Sequence, residues 1–342
     1  MSIDTAAGKL RRALSHMEKD QPPAVVEKDE VLKEFTPIFQ HDEIGNLSGE
    51  QFLRFLPYRN NRHWTGLARQ GPRMTEDMDL LRKGVAILVD EKRDLAERVT
   101  EAKETVVGMG KGTLTAILLV AYPEKYGVWN NKSEAALKQI DVWPGFNRGE
   151  SFGSRYQKVN HTLCQLSAEV GIDLWTLDCL LDYVVKAGEN DTAQIEEQTE
   201  TRAGEFVAEK HLQEFLVRNW DTTKLSQEWE IYNDADDPEA GVEFPTGVGP
   251  ADLLLSHKTD HRLCVVELKR SQSRDKAVGQ ILRYIGWVRN HLDEIEGTSQ
   301  ETKVEGLLIV SKNSDHLRYA LSATPDVRLQ RYKVDFELED VS

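Results

Sequence analysis

The sequence predicts two domains: a mostly α-helical one over residues 1–186, and an α/β one with a mixed central sheet over residues 206–342. Three observations carry this reading. The chain has 342 residues, and at roughly 100–200 residues per domain that length calls for two or three. Apolar side chains recur at helical spacing through the first half, whereas the second half alternates strand-like segments with helices. Between them, residues 187–205 (AGENDTAQIEEQTETRAGE) are polar and acidic, and Ile195 is their one apolar side chain larger than alanine. Such a stretch buries too little surface to fold alone and reads as a linker.

Composition narrows the class. Hydrophobic residues make up 39% and charged residues 30%, a globular balance. No apolar run approaches the roughly 20 residues of a membrane helix. The N-terminus, MSIDTAAGKLRRALSHMEKD, has no apolar segment of the secretory type. Cys164, Cys179 and Cys264 form no CxxC pair and cannot make a disulfide framework. These features predict a cytoplasmic, reduced protein without structural zinc. The net charge is -15, from 43 Lys+Arg against 58 Asp+Glu. Phosphate-binding proteins usually carry a basic footprint, so composition alone counts against nucleic acid. It also excludes a basic chromatin-like or membrane-surface protein.

In the first domain Ser48-Gly49-Glu50-Gln51 ahead of Phe52, Leu53, Phe55 and Leu56 is a capping-box signature. Met78, Leu81, Val85, Leu88 and Val89 share a helical stripe, as do Leu114, Ile117, Leu118 and Ala121. Leu163, Leu166 and Val170 continue the pattern, followed by Leu177, Leu180, Leu181 and Val184. Gly108, Gly110 and Gly112 punctuate the helices.

In the second domain a helix is expected over 206–218. Strands follow at 227–232, 251–256, 262–268, 304–310 and 328–337, with a strong helix at 275–292. The turn-length connection His257–His261 makes 251–256 and 262–268 an antiparallel hairpin.

Chemistry concentrates there. Asp252 opens one hairpin strand after the break Gly247-Val248-Gly249-Pro250, and Glu267 and Lys269 lie two residues apart on its partner. Period two puts Glu267 and Lys269 in one row with Leu263 and Val265, while Cys264, Val266 and Leu268 face the other way. A half-buried acid costs several kcal/mol unless something pairs it. Two converging carboxylates repel unless a cation sits between them, and Mg²⁺ takes oxygen ligands while keeping waters. A lysine beside them orients an attacking water or steadies charge on a phosphate. On the following helix Gln280, Arg283, Tyr284 and Trp287 share a face. Upstream, Glu209 begins a helix within reach of the same pocket.

The ordered set Glu209, Gly249-Pro250-Ala251-Asp252, Glu267-Leu268-Lys269 and Gln280-x-x-x-Tyr284 resembles the PD-(D/E)xK nuclease superfamily. It is most similar to the RecB-like branch and to the C-terminal domain of NucS/EndoMS endonucleases. The matching stretches are GVGPADLLL, LCVVELKRSQSRDKAVGQILRYIGWV and VEGLLIV, within roughly 206–335. The resemblance implies a restriction-endonuclease-like fold. It implies that Asp252 and Glu267 hold a divalent metal, Mg²⁺ with Mn²⁺ as substitute. It makes Lys269 the catalytic lysine, with Glu209 and Gln280 completing the pocket. Two departures stand out: the proline lies two residues before Asp252, and residues 1–186 read as helical where that family carries a β-rich domain.

In the first domain, Val107-Gly108-Met109-Gly110-Lys111-Gly112-Thr113 lacks the GxxxxGK[ST] phosphate-loop spacing. A GxG turn opening a helix resembles instead the helix-hairpin-helix element, which would put Lys111 near a phosphate. Nearby Tyr122, Tyr126, Trp129, Asn130 and Asn131 are of the kind that stack on bases or line a pocket. Trp64, Arg69 and Arg73 form another candidate patch.

The expectation is a Mg²⁺-dependent DNA endonuclease of defence or repair, cytoplasmic, with the helical domain delivering substrate. Cutting both strands with one site per chain would call for a homodimer. The alternatives are a non-cleaving nucleic-acid-binding or partner-binding protein, or an RNA nuclease. Residues 206–342 hold 17 basic and 25 acidic side chains, so even this part is acidic. The basic ones cluster locally at Lys269, Arg270, Arg274, Lys276 and Arg283, and Arg270, Arg274, Arg283 and Tyr284 are the expected nucleic-acid contacts. With acids drawing in the metal and bases gathered beside them, the net charge no longer counts against nucleic acid.

Overall fold

The computed structural model describes residues 2–20, 22–189, 210–269, 274–311 and 315–333. The described residues up to 189 form helices joined by turns, with no strand, as the apolar stripes require. The longer helices are α1 (Ile3–Asp20), α2 (Lys28–Phe35), α3 (Gly49–Phe55), α4 (Met78–Val89), α5 (Leu95–Thr105), α6 (Lys111–Ala121), α7 (Asn131–Gln139), α8 (Phe152–Val170) and α9 (Leu174–Glu189). Local chemistry fixes their starts. Ser48 and Gln51 close the expected capping box of α3, and the Asp77 and Asp94 side chains accept the first N–H groups of α4 and α5. From Thr113 to Ala121, α6 is buried on all sides because its sequence is apolar all round. Around it one apolar core runs from Leu10 and Phe35 to Trp175 and Leu181. Among the described residues no helix is long and apolar enough to cross a membrane.

After helix α10 (210–218) comes a six-stranded mixed sheet. Its strands are β1 (Trp229–Ile231), β2 (Val242–Thr246), β3 (Gly249–His257), β4 (Arg262–Lys269), β5 (Lys303–Val310) and β6 (Val327–Arg331). The order is β1-β3-β4-β5-β6, and β2 also pairs with β3, beyond β1 along the same edge. β3 runs antiparallel to β1, β2 and β4, while β4, β5 and β6 are parallel. Parallel neighbours need crossovers. These are α11 (Arg274–Asn290) between β4 and β5, and α12 (Asp315–Ser322) between β5 and β6. The two-face reading of β4 holds: Leu263 and Val265 pack with α11, and Cys264, Val266 and Leu268 pack with Val217 and Trp220.

Strand β2 was not expected. Gly247-Val248-Gly249-Pro250 is not only a break but the turn of a β2–β3 hairpin. Gly249 has φ of 121°, open to glycine, and the Thr246 hydroxyl donates to its carbonyl. Pro245, opposite Pro250, masks a strand of five residues from any propensity reading. β6 is shorter than expected, and residues 334–337 of that segment lie outside the described residues.

The helical part and the sheet meet along a charged interface. Lys132 of α7 reaches Asp182 at 3.2 Å and Glu243 of β2 at 2.5 Å. Asn131 donates to the carbonyls of Ala240 and Val242 at 2.9 and 2.8 Å. The Glu214 carboxylate of α10 accepts from the Tyr58 N–H at 2.6 Å. The expected linker at 187–205 lies mostly outside the described residues.

Candidate active site

β3 and β4 bring the acidic residues together. Their last ladder pair is Leu253 with Val266, so the next opposed positions are Asp252 and Glu267. There the Asp252 side chain takes over the ladder: its Oδ2 accepts from the Leu268 N–H at 2.6 Å. A carboxylate that accepts a backbone N–H is fixed in direction by a charge-assisted bond. Its own carbonyl accepts from Gln213 of α10 at 2.9 Å. Gln213 was not singled out from the sequence, because only its amide's reach to a strand 39 residues away gives it a role.

Glu267 is 1% exposed, and Lys269 Nζ lies 2.8 Å from its Oε1. The sheet positions both: two residues apart, they project from the same side of β4. The burial would cost several kcal/mol for an unpaired carboxylate, so the lysine is part of what makes the site foldable. Asp252 and Glu267 offer oxygen donors from adjacent strands, which suits Mg²⁺, an ion commonly held by one or two carboxylates plus substrate phosphate. Among the described residues no group of three or more His, Cys, Asp or Glu side chains gathers as a metal centre.

On α11 the Gln280 amide donates to the Tyr284 hydroxyl at 3.0 Å. Tyr284 is 0% exposed and packs with Val265 and Leu308. It was expected to touch nucleic acid; its burial against the sheet removes it from any ligand and makes it a support for Gln280. Arg283 is exposed on the same helix, and Arg274 begins it. Glu209 and Arg270 lie outside the described residues.

Lys111 differs from its expected role too. Gly110 caps α6 as foreseen, but the Lys111 side chain is 7% exposed, 3.4 Å from Glu134, and its ammonium lies 5.8 Å from the Trp129 ring centroid. Burial alone would lower its pKa; Glu134, Asp237 and Asp234 outweigh it and raise it. A Cβ on Gly110 would collide with the Asp237 carboxylate, so an acid of the chain itself occupies the helix N-terminus that a phosphate was expected to use. Trp64 is buried as well, donating from Nε1 to Asp178 at 2.9 Å, and Arg69 pairs with Glu239 at 3.0 Å.

A second polar centre, unread in the sequence, lies between the two parts. His63 meets Asp178 at 3.0 Å and Cys179 at 3.5 Å. Burial works against its charge, but Cys179 and Asp178 raise its pKa to about 10. Across from it, burial pushes Asp237 up to about 6 and Glu239 up to about 7, despite Lys111 and Arg69. These partners are far apart in sequence, so no local pattern announces them.

Compared with models of known protein families, with curated proteins and with solved structures, the chain matches none.

Proposed function

We propose that the protein is a divalent-metal-dependent endonuclease that hydrolyses DNA phosphodiester bonds, in defence or repair. The observation that carries this reading is the placement of Asp252 and Glu267 at opposed positions of β3 and β4, with Lys269 2.8 Å from Glu267. Asp252 and Glu267 would hold Mg²⁺ or Mn²⁺, which when bound acidifies a water and polarises a phosphoryl oxygen. Lys269 carries the charge that steadies the phosphate or orients the attacking water. Gln280, held by Tyr284, contributes an amide to the same pocket, and Arg283 offers an exposed cation to the strand. In this reading the helical part presents the substrate, and a homodimer would cut both strands of a duplex.

The direct Glu267–Lys269 ion pair favours a second reading. A lysine whose only task is to neutralise a buried acid would leave a non-cleaving nucleic-acid-binding or partner-binding protein. An RNA nuclease would use the same phosphate chemistry. The deciding experiment is a cleavage panel of single-stranded, duplex, branched, mismatched and modified DNA plus RNA, with Mg²⁺ or Mn²⁺. Cleavage by the wild type that is lost in Lys269→Ala supports the nuclease. Full activity in purified Lys269→Ala removes it.

A further inference from the structure

Between β1 and β2 the chain leaves the sheet as an acidic loop, Asp234-Ala235-Asp236-Asp237-Pro238-Glu239, and docks on the helical part. Asp234 folds it by accepting the N–H groups of Asp236 and Asp237 at 2.8 and 2.7 Å. Two of its acids, Asp236 and Glu239, then meet cations of the helical part. Arg155 of α8 grips Asp236 with both terminal nitrogens, at 2.6 and 2.9 Å. Lys103 of α5 donates to the Ala235 carbonyl at 3.0 Å and lies 4.0 Å from Asp236. Glu239 takes Arg69 and Gln70 at 3.0 and 2.7 Å.

The cations at Asp236 belong to a surface with a recognisable composition. The Arg155 guanidinium lies 6.0 Å from the Trp129 ring centroid, and Lys103 Nζ lies 5.4 Å from that of Phe152; both rings are buried and seat the cations from below, while the half-buried Trp143 and Phe146 are the rings that reach the surface. Lys138 Nζ is 5.7 Å from the Trp143 ring centroid, and Trp143 packs on Phe146 at 5.4 Å. Basic side chains interleaved with aromatic rings are what a single nucleic-acid strand uses, the cations for phosphates and the rings for bases. A cavity of about 270 Å³ opens here. Its far wall includes Phe244, Pro245 and Trp287, from the hairpin that carries Asp252 and the helix that carries Gln280.

We infer that this face of the helical part binds a nucleic-acid strand through Lys103, Lys138, Arg155, Trp143 and Phe146, and that the acidic loop 234–239 masks it by occupying phosphate positions. The loop rests at a cost. Its carboxylates are crowded together and partly buried, so exchanging them for the spread charges of a phosphate chain relieves their repulsion. The inference rests on the nuclease reading for its substrate, and it adds where that substrate lies.

The test measures binding without cleavage. Lys269→Ala protein in EDTA is titrated with fluorescent single-stranded DNA, duplex DNA and single-stranded RNA, at several salt concentrations. Asp236→Ala in that background is expected to bind a strand about tenfold more tightly and with a steeper salt dependence, because it frees Arg155 and Lys103. Arg155→Ala is expected to bind about tenfold more weakly than the parent. Hydrogen exchange on the parent needs no further variant: amides of 234–240 should lose protection when a strand is added. An unchanged affinity in Asp236→Ala, an unchanged affinity in Arg155→Ala, or protection that rises in the loop would each overturn the inference. Tighter binding by Asp236→Ala in EDTA, with no cleavage by the wild type under Mg²⁺ or Mn²⁺, would keep the docking face and remove the nuclease.

Discussion

The Asp252 carboxylate on β3 takes the place of a backbone acceptor for Leu268 on β4, at 2.6 Å. One side chain thereby has a structural duty and a proposed metal-binding duty, and substitutions separate them. Asp252→Asn keeps an oxygen for the Leu268 N–H and should stay near wild-type stability. Asp252→Ala leaves that N–H without its partner and should lose about 1–2 kcal/mol in a denaturant titration. Both should lose cleavage, and an active Asp252→Asn would count against a metal at this position.

Glu267 and Lys269 form a half-hidden pair in which the acid is the more deeply buried partner. Lys269→Ala should cost about 3 kcal/mol, the low end for breaking a buried pair, and Glu267→Gln in that background should recover much of it. Neither protein should cleave. A Lys269→Ala protein as stable as the wild type would show that the pair is not what holds Glu267.

Stability should fall between pH 5 and pH 8. Burial raises Asp237 from its ordinary 3.8 to about 6 and Glu239 from 4.5 to about 7, so the folded chain holds protons there that the unfolded chain has released. Their contribution is full below the unfolded values and is lost as pH rises through the folded ones. His63, raised from 6.5 to about 10, adds a further loss above neutrality. Glu134, where Lys111 and Lys138 outweigh burial and lower it to about 2, keeps its contribution across this window and loses it only in strong acid. The denaturation midpoint should therefore be higher at pH 5 than at pH 8, and Glu239→Gln should flatten the slope. An equal slope in that variant would remove Glu239 from the explanation.

Two glycines should respond oppositely to alanine. At Gly110 a Cβ meets the Asp237 carboxylate and, at 2.9 Å, Pro238 Cδ, so Gly110→Ala should cost about 1–3 kcal/mol. At Gly8, inside α1, a Cβ meets nothing within 4 Å, and Gly8→Ala should gain about 0.5–1 kcal/mol. Thermal melts of the two variants give the comparison directly.

Periodicity made much of this architecture legible. The alternation in RLCVVELK placed Glu267 in a row with Leu263 and Val265, and the capping box at Ser48 marked the start of α3. What stayed hidden depends on partners distant in sequence. Lys111 looked available for phosphate because nothing local predicts Glu134 and Asp237 beside it. Tyr284 looked like a nucleic-acid contact because helical spacing alone does not say how deeply each residue of a sheet-facing stripe is buried. Strand β2 escaped because a proline within five residues erases a propensity signal that pairing with β3 overrides.

That strand has a mechanical consequence. Glu243 ties β2 to Lys132 of the helical part, while Val242, Phe244 and Pro245 pair with Leu253, Ala251 and Pro250, the residues on either side of Asp252. β2 is thus a short lever with its handle in one part and its tip at the proposed metal ligand. A shift of the helices over the sheet would reach that carboxylate through β2, so the proposed strand-binding face and the proposed cutting groups share one connection.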